Sequence, residues 1–230
     1  MEDPLILGNP HCVGQEEIPN SSEKRARVSE ILQSRRLISL SHSQSHDHSS
    51  SSTFLDEEND SPLFIHLAHG LAYTIGSALG SRPPSAETCL AAYIVPNKAG
   101  LTAGSHAWSK HSHRSLPIPS DTAEEDQQKR SAGWWETPSG LIPLINERSL
   151  RLLWKVMDNA TWRNLHWLPH EVLVYEVRVV EGYGMRWSQD QVDRSDGVKK
   201  ENRPWIFCGF VEPSMENGHA LKWRHPISPL

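Results

Sequence analysis

VLVYEVRV (residues 172–179), GYGMRWS (182–188), WIFCGFVEP (205–213) and GHALKWRH (218–225) decide how this chain folds. In the first of these, Leu173, Tyr175, Val177 and Val179 alternate with Val174, Glu176 and Arg178. That period of two is the mark of a β-strand with one apolar face. Glu176 and Arg178 therefore share the other face, about 7 Å apart along the strand. Gly182 and Gly184 permit a tight reversal, which returns Arg186 on a second strand. Trp205 to Phe210 is apolar enough to predict a central strand, ended by Glu212 before Pro213. His219 to His225 predicts a last one.

Helical signals lie upstream of this run. Pro62 near the start and Gly80 at the end bracket a predicted helix over 62–80. Ser85 can cap a short helix that ends before Pro96. Thr102 can cap one over 101–114, with Gly104, Ala107, Trp108 and His111 on one face. The apolar stripe Leu150, Leu153, Trp154 and Met157 predicts a further helix over 146–160. TWRNLHWLPH (161–170) leads into the sheet. The expected class is α+β: helices within 62–160 packed on a small C-terminal antiparallel sheet over 172–225, in a single domain spanning 61–230.

Composition supports that boundary. Of 230 residues, 37% are hydrophobic, and all nine Trp lie between Trp108 and Trp223. Residues 1–60 contain no Trp or Tyr, and five Lys or Arg against eleven Asp or Glu. The Ser/His tract SLSHSQSHDHSSSST (39–53) cannot bury enough apolar surface to offset chain entropy. The first sixty residues are therefore expected to be a disordered acidic, Ser/His-rich tail, with transient helix over 23–40. The remainder carries eighteen basic against seventeen acidic residues, which argues against a broad polyanion-binding surface but leaves room for a local basic cleft. Cys12, Cys89 and Cys208 are odd in number and unpatterned, so no disulfide framework is signalled and a reducing compartment fits. The stretch from Leu63 to Leu79, broken by His66, His69 and Gly70, reads as a core helix rather than a membrane span. A cytoplasmic or nuclear location and no membrane partner are expected.

Ordered motifs carry a resemblance. Helical K-H-x-x-R (Lys110, His111, Arg114) precedes an E-x-R strand (Glu176, Arg178). G-x-G-x-R-aromatic (Gly182, Gly184, Arg186, Trp187) and G-F-x-E-P (Gly209, Phe210, Glu212, Pro213) follow. This order resembles that of bacterial polymorphic-toxin C-terminal domains, ribonucleases of the barnase/EndoU/colicin E5/RelE-like fold. KHxHR, NLHxLPH, GYGxRW, GFxEP and GHxxxWRH also resemble a group of plant, algal and fungal proteins. The toxin resemblance implies endoribonuclease-like chemistry: metal-independent RNA cleavage with no cofactor. It needs a base for the ribose 2′-hydroxyl, an acid for the departing 5′-oxygen and cations around the phosphorus. On that reading His111 is the acid/base, Glu176 its partner base, and Arg186 completes the catalytic set. Lys110, Arg114 and Arg178 contact phosphate, and Glu212 orients an arginine.

Two other readings compete. In one, the chain is a non-catalytic interaction protein that binds a protein partner through Trp134, Trp135 and Trp223. In the other, His166, His170, His219 and His225 hold a metal, although Pro169 argues against one regular helix through the first pair. Convergence of His111, Glu176 and Arg186 in one cleft is the test that separates the first reading from these.

Overall fold

The computed structural model describes residues 8–42, 61–115, 133–194 and 199–214. Four strands, β1 (Trp162–Leu168), β2 (Val172–Arg178), β3 (Gly184–Asp190) and β4 (Ile206–Val211), pair antiparallel in the order β1-β2-β3-β4. The alternation in VLVYEVRV gives the sheet two distinct faces. Leu173, Tyr175 and Val177 turn to one, joined by Leu165, Met185, Trp187, Phe207 and Phe210. Phe207 and Phe210 lie an odd number of residues apart, so a regular strand would point them to opposite faces. A register shift opposite Arg186 and Trp187, with Gly209 at φ +130°, adds a bulge residue and brings both rings to the core. Among the described strands β4 is outermost, not central as its apolar composition suggested.

Three helices cover that face. The first, α3 (Ala86–Tyr93), is capped by Ser85 accepting from the Thr88 N–H. The next, α4 (Ala103–His111), is capped by Thr102 accepting from Ser105. The third is α5 (Ile142–Asp158). Gly104 lets α4 approach α3, since a Cβ there would sit 2.0 Å from the Tyr93 ring. The Tyr93 hydroxyl then donates to the Ser149 carbonyl on α5 at 2.9 Å. Trp108 is buried and donates its indole N–H to the Trp135 carbonyl at 2.8 Å. The buried residues of α5 are Ser149, Leu152, Leu153 and Val156, so its inner stripe is rotated from the one expected and Trp154 is exposed.

The N-terminal region departs most from the sequence reading. Residues 8–42 are folded, including α1 (Ser21–His42), which buries Val28 against Phe64 and Leu67 of α2 (Pro62–Ala68). Arg25 is fully buried and donates to Glu17 at 2.5 Å and to the Leu71 carbonyl at 3.1 Å. The helix expected over 62–80 stops at Ala68, and residues 71–78 run along the free edge of β1 instead. The Ala72 and Ala78 N–H groups donate to the Arg163 and Leu165 carbonyls at 2.7 and 2.8 Å, and Trp167 donates to Gly76 at 3.3 Å. Gly70, Gly76 and Gly80 all hold positive φ, which a helix cannot use, and β1 offers backbone partners that a helix here would forgo. Most of the Ser/His tract, residues 116–132 and the expected strand at 219–225 lie outside the described residues. The architecture is α+β, with helices mostly N-terminal to the sheet.

Candidate active site

The polar face of the sheet is built on Glu176. Register places Asn164, Glu176 and Arg186 side by side on β1, β2 and β3. Paired residues point the same way, so the three side chains rise from one face. The Glu176 side chain is buried, and both its oxygens are taken by guanidiniums. Arg178 Nε donates to Oε1 at 2.5 Å, and Arg186 Nε donates to Oε2. Arg178 also donates through Nη1 to the Gly182 and Glu212 carbonyls, at 2.5 and 2.8 Å. Gly184 pairs with Arg178 across β2 and β3, and a Cβ there would fall 2.1 Å from the Val177 carbonyl oxygen and 2.8 Å from Arg178 Cγ. Gly184 therefore leaves the passage by which the arginine crosses β3. Of the two glycines read as a reversal, Gly182 has the positive φ, +89°, and Gly184 serves by its lack of a side chain.

Burial divides the two arginines. Arg178 is 3% exposed and committed to internal partners. Arg186 is 41% exposed and makes its one side-chain hydrogen bond among the described residues through Nε, so its terminal nitrogens can meet a ligand. Burial alone would raise the Glu176 pKa. The Arg178 and Arg186 charges and the hydrogen bonds they donate outweigh it and hold the carboxyl below its ordinary 4.5. Such a carboxylate is a weak base, suited to holding cations in place.

A cleft of about 270 Å³ opens over this cluster. Its lining includes Glu176, Arg178, Arg186, Asn164, His166 and Trp167, closed by Thr74, Ile75 and Gly76 on one side and by Gln15 and Ser214 on another. The edge segment is tied down by Asn164, whose amide donates to Thr74 Oγ1 at 3.0 Å and whose carbonyl accepts from Ser77 at 3.2 Å. Gln15 donates to Ser214 at 2.7 Å. His166 is half-buried. Burial lowers its pKa below 6.5; the Glu176 carboxylate opposes this, and Arg186 and Arg178 add to it. The imidazole is therefore neutral at neutral pH and able to accept a proton. Burial pushes the Cys12 thiol up to about 11, with Arg178 opposing and Glu176 adding, so no thiolate nucleophile stands beside the cluster.

Of the residues expected to act together, the structure joins Glu176, Arg178 and Arg186. Glu212 reaches the group through its backbone carbonyl on Arg178. Lys110 and His111 do not line the cleft. They sit in the last turn of α4, whose Trp108 packs into the core with Tyr175 and Trp187. Strand alternation turns that core face away from Glu176, so the expected convergence of His111 with Glu176 and Arg186 is corrected. Arg114 lies in the 3-10 turn Ser112–Ser115 after α4, and its side chain is outside the described residues.

Asn164 and His166 enter instead. Their signal was present in NLHxLPH and in the period of two across residues 162–168, read as a lead-in rather than as β1. His166 is on a strand and His170 in the following turn at φ +65°, not on successive turns of a helix. Among the described residues no three His, Cys, Asp or Glu side chains group closely enough to hold a metal ion. Trp135 is fully buried against Phe210, and Trp134 stacks on Tyr183 at 4.8 Å, so this pair staples its loop to the core and Trp135 offers no surface to a partner. Trp223 is outside the described residues.

A buried carboxylate holding two arginines beside a neutral histidine, on the open face of a small antiparallel sheet, is chemistry suited to a phosphodiester. Residues 120–195 match the family model of the CdiA C-terminal tRNase toxin domain. The matched span covers roughly a third of the chain. It contains β1, β2 and β3 with Asn164, His166, Glu176, Arg178 and Arg186, and begins after Lys110, His111 and Arg114. No curated protein and no solved structure matches the chain. The match supports the resemblance to bacterial polymorphic-toxin ribonuclease domains and an RNase-like function at that level.

Proposed function

We propose that this chain is an endoribonuclease-like domain that cleaves RNA by acid/base chemistry, with no metal ion in the step. The observation that carries the reading is the Glu176 carboxylate, bonded at once by Arg178 and Arg186 beside the half-buried His166. Arg186 contacts the phosphate oxygens and stabilises the charge that develops on them. Glu176 and Arg178 position Arg186. His166 takes the 2′-hydroxyl proton as the 2′-oxygen bonds to phosphorus. The P–O5′ bond breaks, the departing 5′-oxygen takes a proton from water, and the hydroxide left behind is neutralised by the His166 imidazolium. The products are a 2′,3′-cyclic phosphate and a 5′-hydroxyl.

This reading moves the acid/base role from His111 to His166 and assigns Lys110 no contact in the cleft. An RNA substrate suits a cytoplasmic or nuclear location. No described helix is long and apolar enough to cross a membrane. The test is cleavage of RNA by His166→Ala and His111→Ala proteins, with product ends analysed. His166→Ala should lose about 10²- to 10⁴-fold in rate, the usual share of a general acid or base. His111→Ala should retain activity if it folds. Cyclic-phosphate products made at the wild-type rate by His166→Ala would overturn the assignment.

A further inference from the structure

The sheet face that carries Arg186 continues past the cluster onto β4. Met185 and Trp187 are buried in the core, so alternation turns Arg186 and Ser188 to the opposite face. Register pairs Ser188 with Ile206, and the next residue of β4, Phe207, is in the core, so Ile206 shares the face of Ser188. The Cys208 thiol donates to Ser188 Oγ at 3.0 Å, which fixes its side chain on that face too. Gly209 pairs with Arg186, and a Cβ at Gly209 would meet no atom within 4 Å. Ile206 is 61% exposed, and Cys208 is exposed.

Two sides of the cleft are walled. The turn from Thr74 to Gly76, tied to Asn164, closes it along β1. Gln15 and Ser214 close it at the β2–β3 reversal, where the Val13 N–H donates to the Val180 carbonyl at 2.9 Å and a Cβ on Gly182 would come within 3.1 Å of Pro213. Both walls leave Cys208 and Ile206 exposed. A strand bound at Arg186 therefore has its way out along β3 and across β4. By the rise of the strand, Ser188 stands about 7 Å from Arg186 on that way. Ser188, Ile206, Cys208 and Gly209 include no cation to hold a second phosphate. They suit the uncharged part of a nucleotide: Ile206 offers an apolar contact to a ring, and Ser188 a hydroxyl to a sugar or a base edge.

We propose that an RNA strand with a phosphate at Arg186 leaves the cleft over this strip, so that the adjoining nucleoside lies on Ser188, Cys208 and Ile206. The inference rests on the ribonuclease reading and adds two things to it: the direction of the strand across the sheet, and a substrate class. That class is single-stranded RNA, or a loop whose bases can be splayed out, because a base stacked in a duplex has no free face to lay on a sheet.

Cys208 is a built-in probe of this path. Cys89 is buried, and burial pushes the Cys12 thiol up to about 11. The experiment alkylates the full chain with iodoacetamide and follows each cysteine by peptide mass spectrometry, with and without a short single-stranded 2′-O-methyl oligoribonucleotide. The 2′-O-methyl group removes the attacking hydroxyl, so binding is read without cleavage. With the strand at about ten times its Kd, roughly one molecule in eleven is free, so alkylation of Cys208 should slow about tenfold. An Arg151→Cys protein, labelled on the outer side of α5, should react at the same rate with and without the strand. Ile206→Ala should weaken the intact strand about tenfold in fluorescence anisotropy, the loss of one apolar contact, and leave an abasic strand unchanged. The proposal is overturned if Cys208 in the saturated complex reacts as fast as in the free protein, or if Ile206→Ala binds the intact strand as the wild type does. It is also overturned if the strand protects Arg151→Cys as well, which would mark a general stiffening. The underlying reading fails separately if Arg186→Ala binds the strand as tightly as the wild type. Should the strand not bind the wild type, both fall together.

Discussion

Replacing Glu176 by Gln keeps the volume of the side chain and removes its charge. In the native protein both its oxygens accept from guanidiniums, and Arg178 is almost fully buried. The substitution leaves Arg178 buried without its counter-ion and turns one acceptor position into an amide donor facing an N–H. Breaking a buried pair from one side costs about 3–5 kcal/mol. Arg186 is partly exposed and water can replace its share, so the penalty should come mainly from Arg178 and fall near the lower end of that range. Against a total stability of roughly 5–15 kcal/mol for a domain, the urea midpoint should fall clearly. The pH dependence gives a second reading. Glu176 has a folded-state pKa below its ordinary 4.5. Its stabilisation is thus fully present above the unfolded-state value and lost as pH falls through the folded-state value. The gap between wild type and Glu176→Gln should be constant near neutrality and close in that acidic window. Pairing Glu176→Gln with Arg178→Met should recover part of the loss, because the stranded charge is removed. Equal midpoints for wild type and Glu176→Gln at neutral pH would refute the reasoning, as would a gap that persists unchanged through acid.

Three more outcomes follow from the same geometry. Arg186→Ala leaves Glu176 paired with Arg178, so denaturation should show a loss within about 1 kcal/mol while RNA cleavage collapses; a large stability loss with retained cleavage would contradict its role. If neutral His166 is the base, the acid limb of the kcat/KM profile should turn at a pH below the ordinary 6.5, since burial lowers its pKa and activity requires the deprotonated ring; a limb at or above 6.5 would exclude it. Gly184→Ala puts a methyl 2.1 Å from the Val177 carbonyl oxygen and should destabilise the fold by about 1–3 kcal/mol in thermal or urea melts; a wild-type melting curve would show that the strands can part there without loss.

Much of the sheet was legible because its signals are local. The alternation in VLVYEVRV put Glu176 and Arg178 on one face before any contact was known, and the structure joins them. Thr102 and Ser85 marked their helices for the same kind of reason, since a cap satisfies N–H groups only a few residues away. Residues 71–80 were misread because their fate depends on a distant strand. Ala72 and Ala78 find their acceptors on Arg163 and Leu165, and no property of LAYTIGSALG names those partners. β1 was overlooked for the complementary reason. It has exposed Arg163 and Trp167 at its edge, and becomes a strand with β2 on one side and the 72–78 segment on the other.

The sequence by itself determined the strand period, the helix caps at Ser85 and Thr102 and the face shared by Glu176 and Arg178, all properties of residues within one or two turns or pleats. Only the tertiary structure decided which face of the sheet the helices cover. Alternation defines two faces but does not say which helix lies on either. That choice was made by Tyr93 fitting over Gly104, by Trp108 and Trp135 filling the apolar side, and by the chain before β1 walling the polar one. Burying those rings on one side leaves the charged side to open on water, where Arg186 can reach a ligand. For that physical reason the histidine near the arginines is His166 from β1 and not His111 from α4.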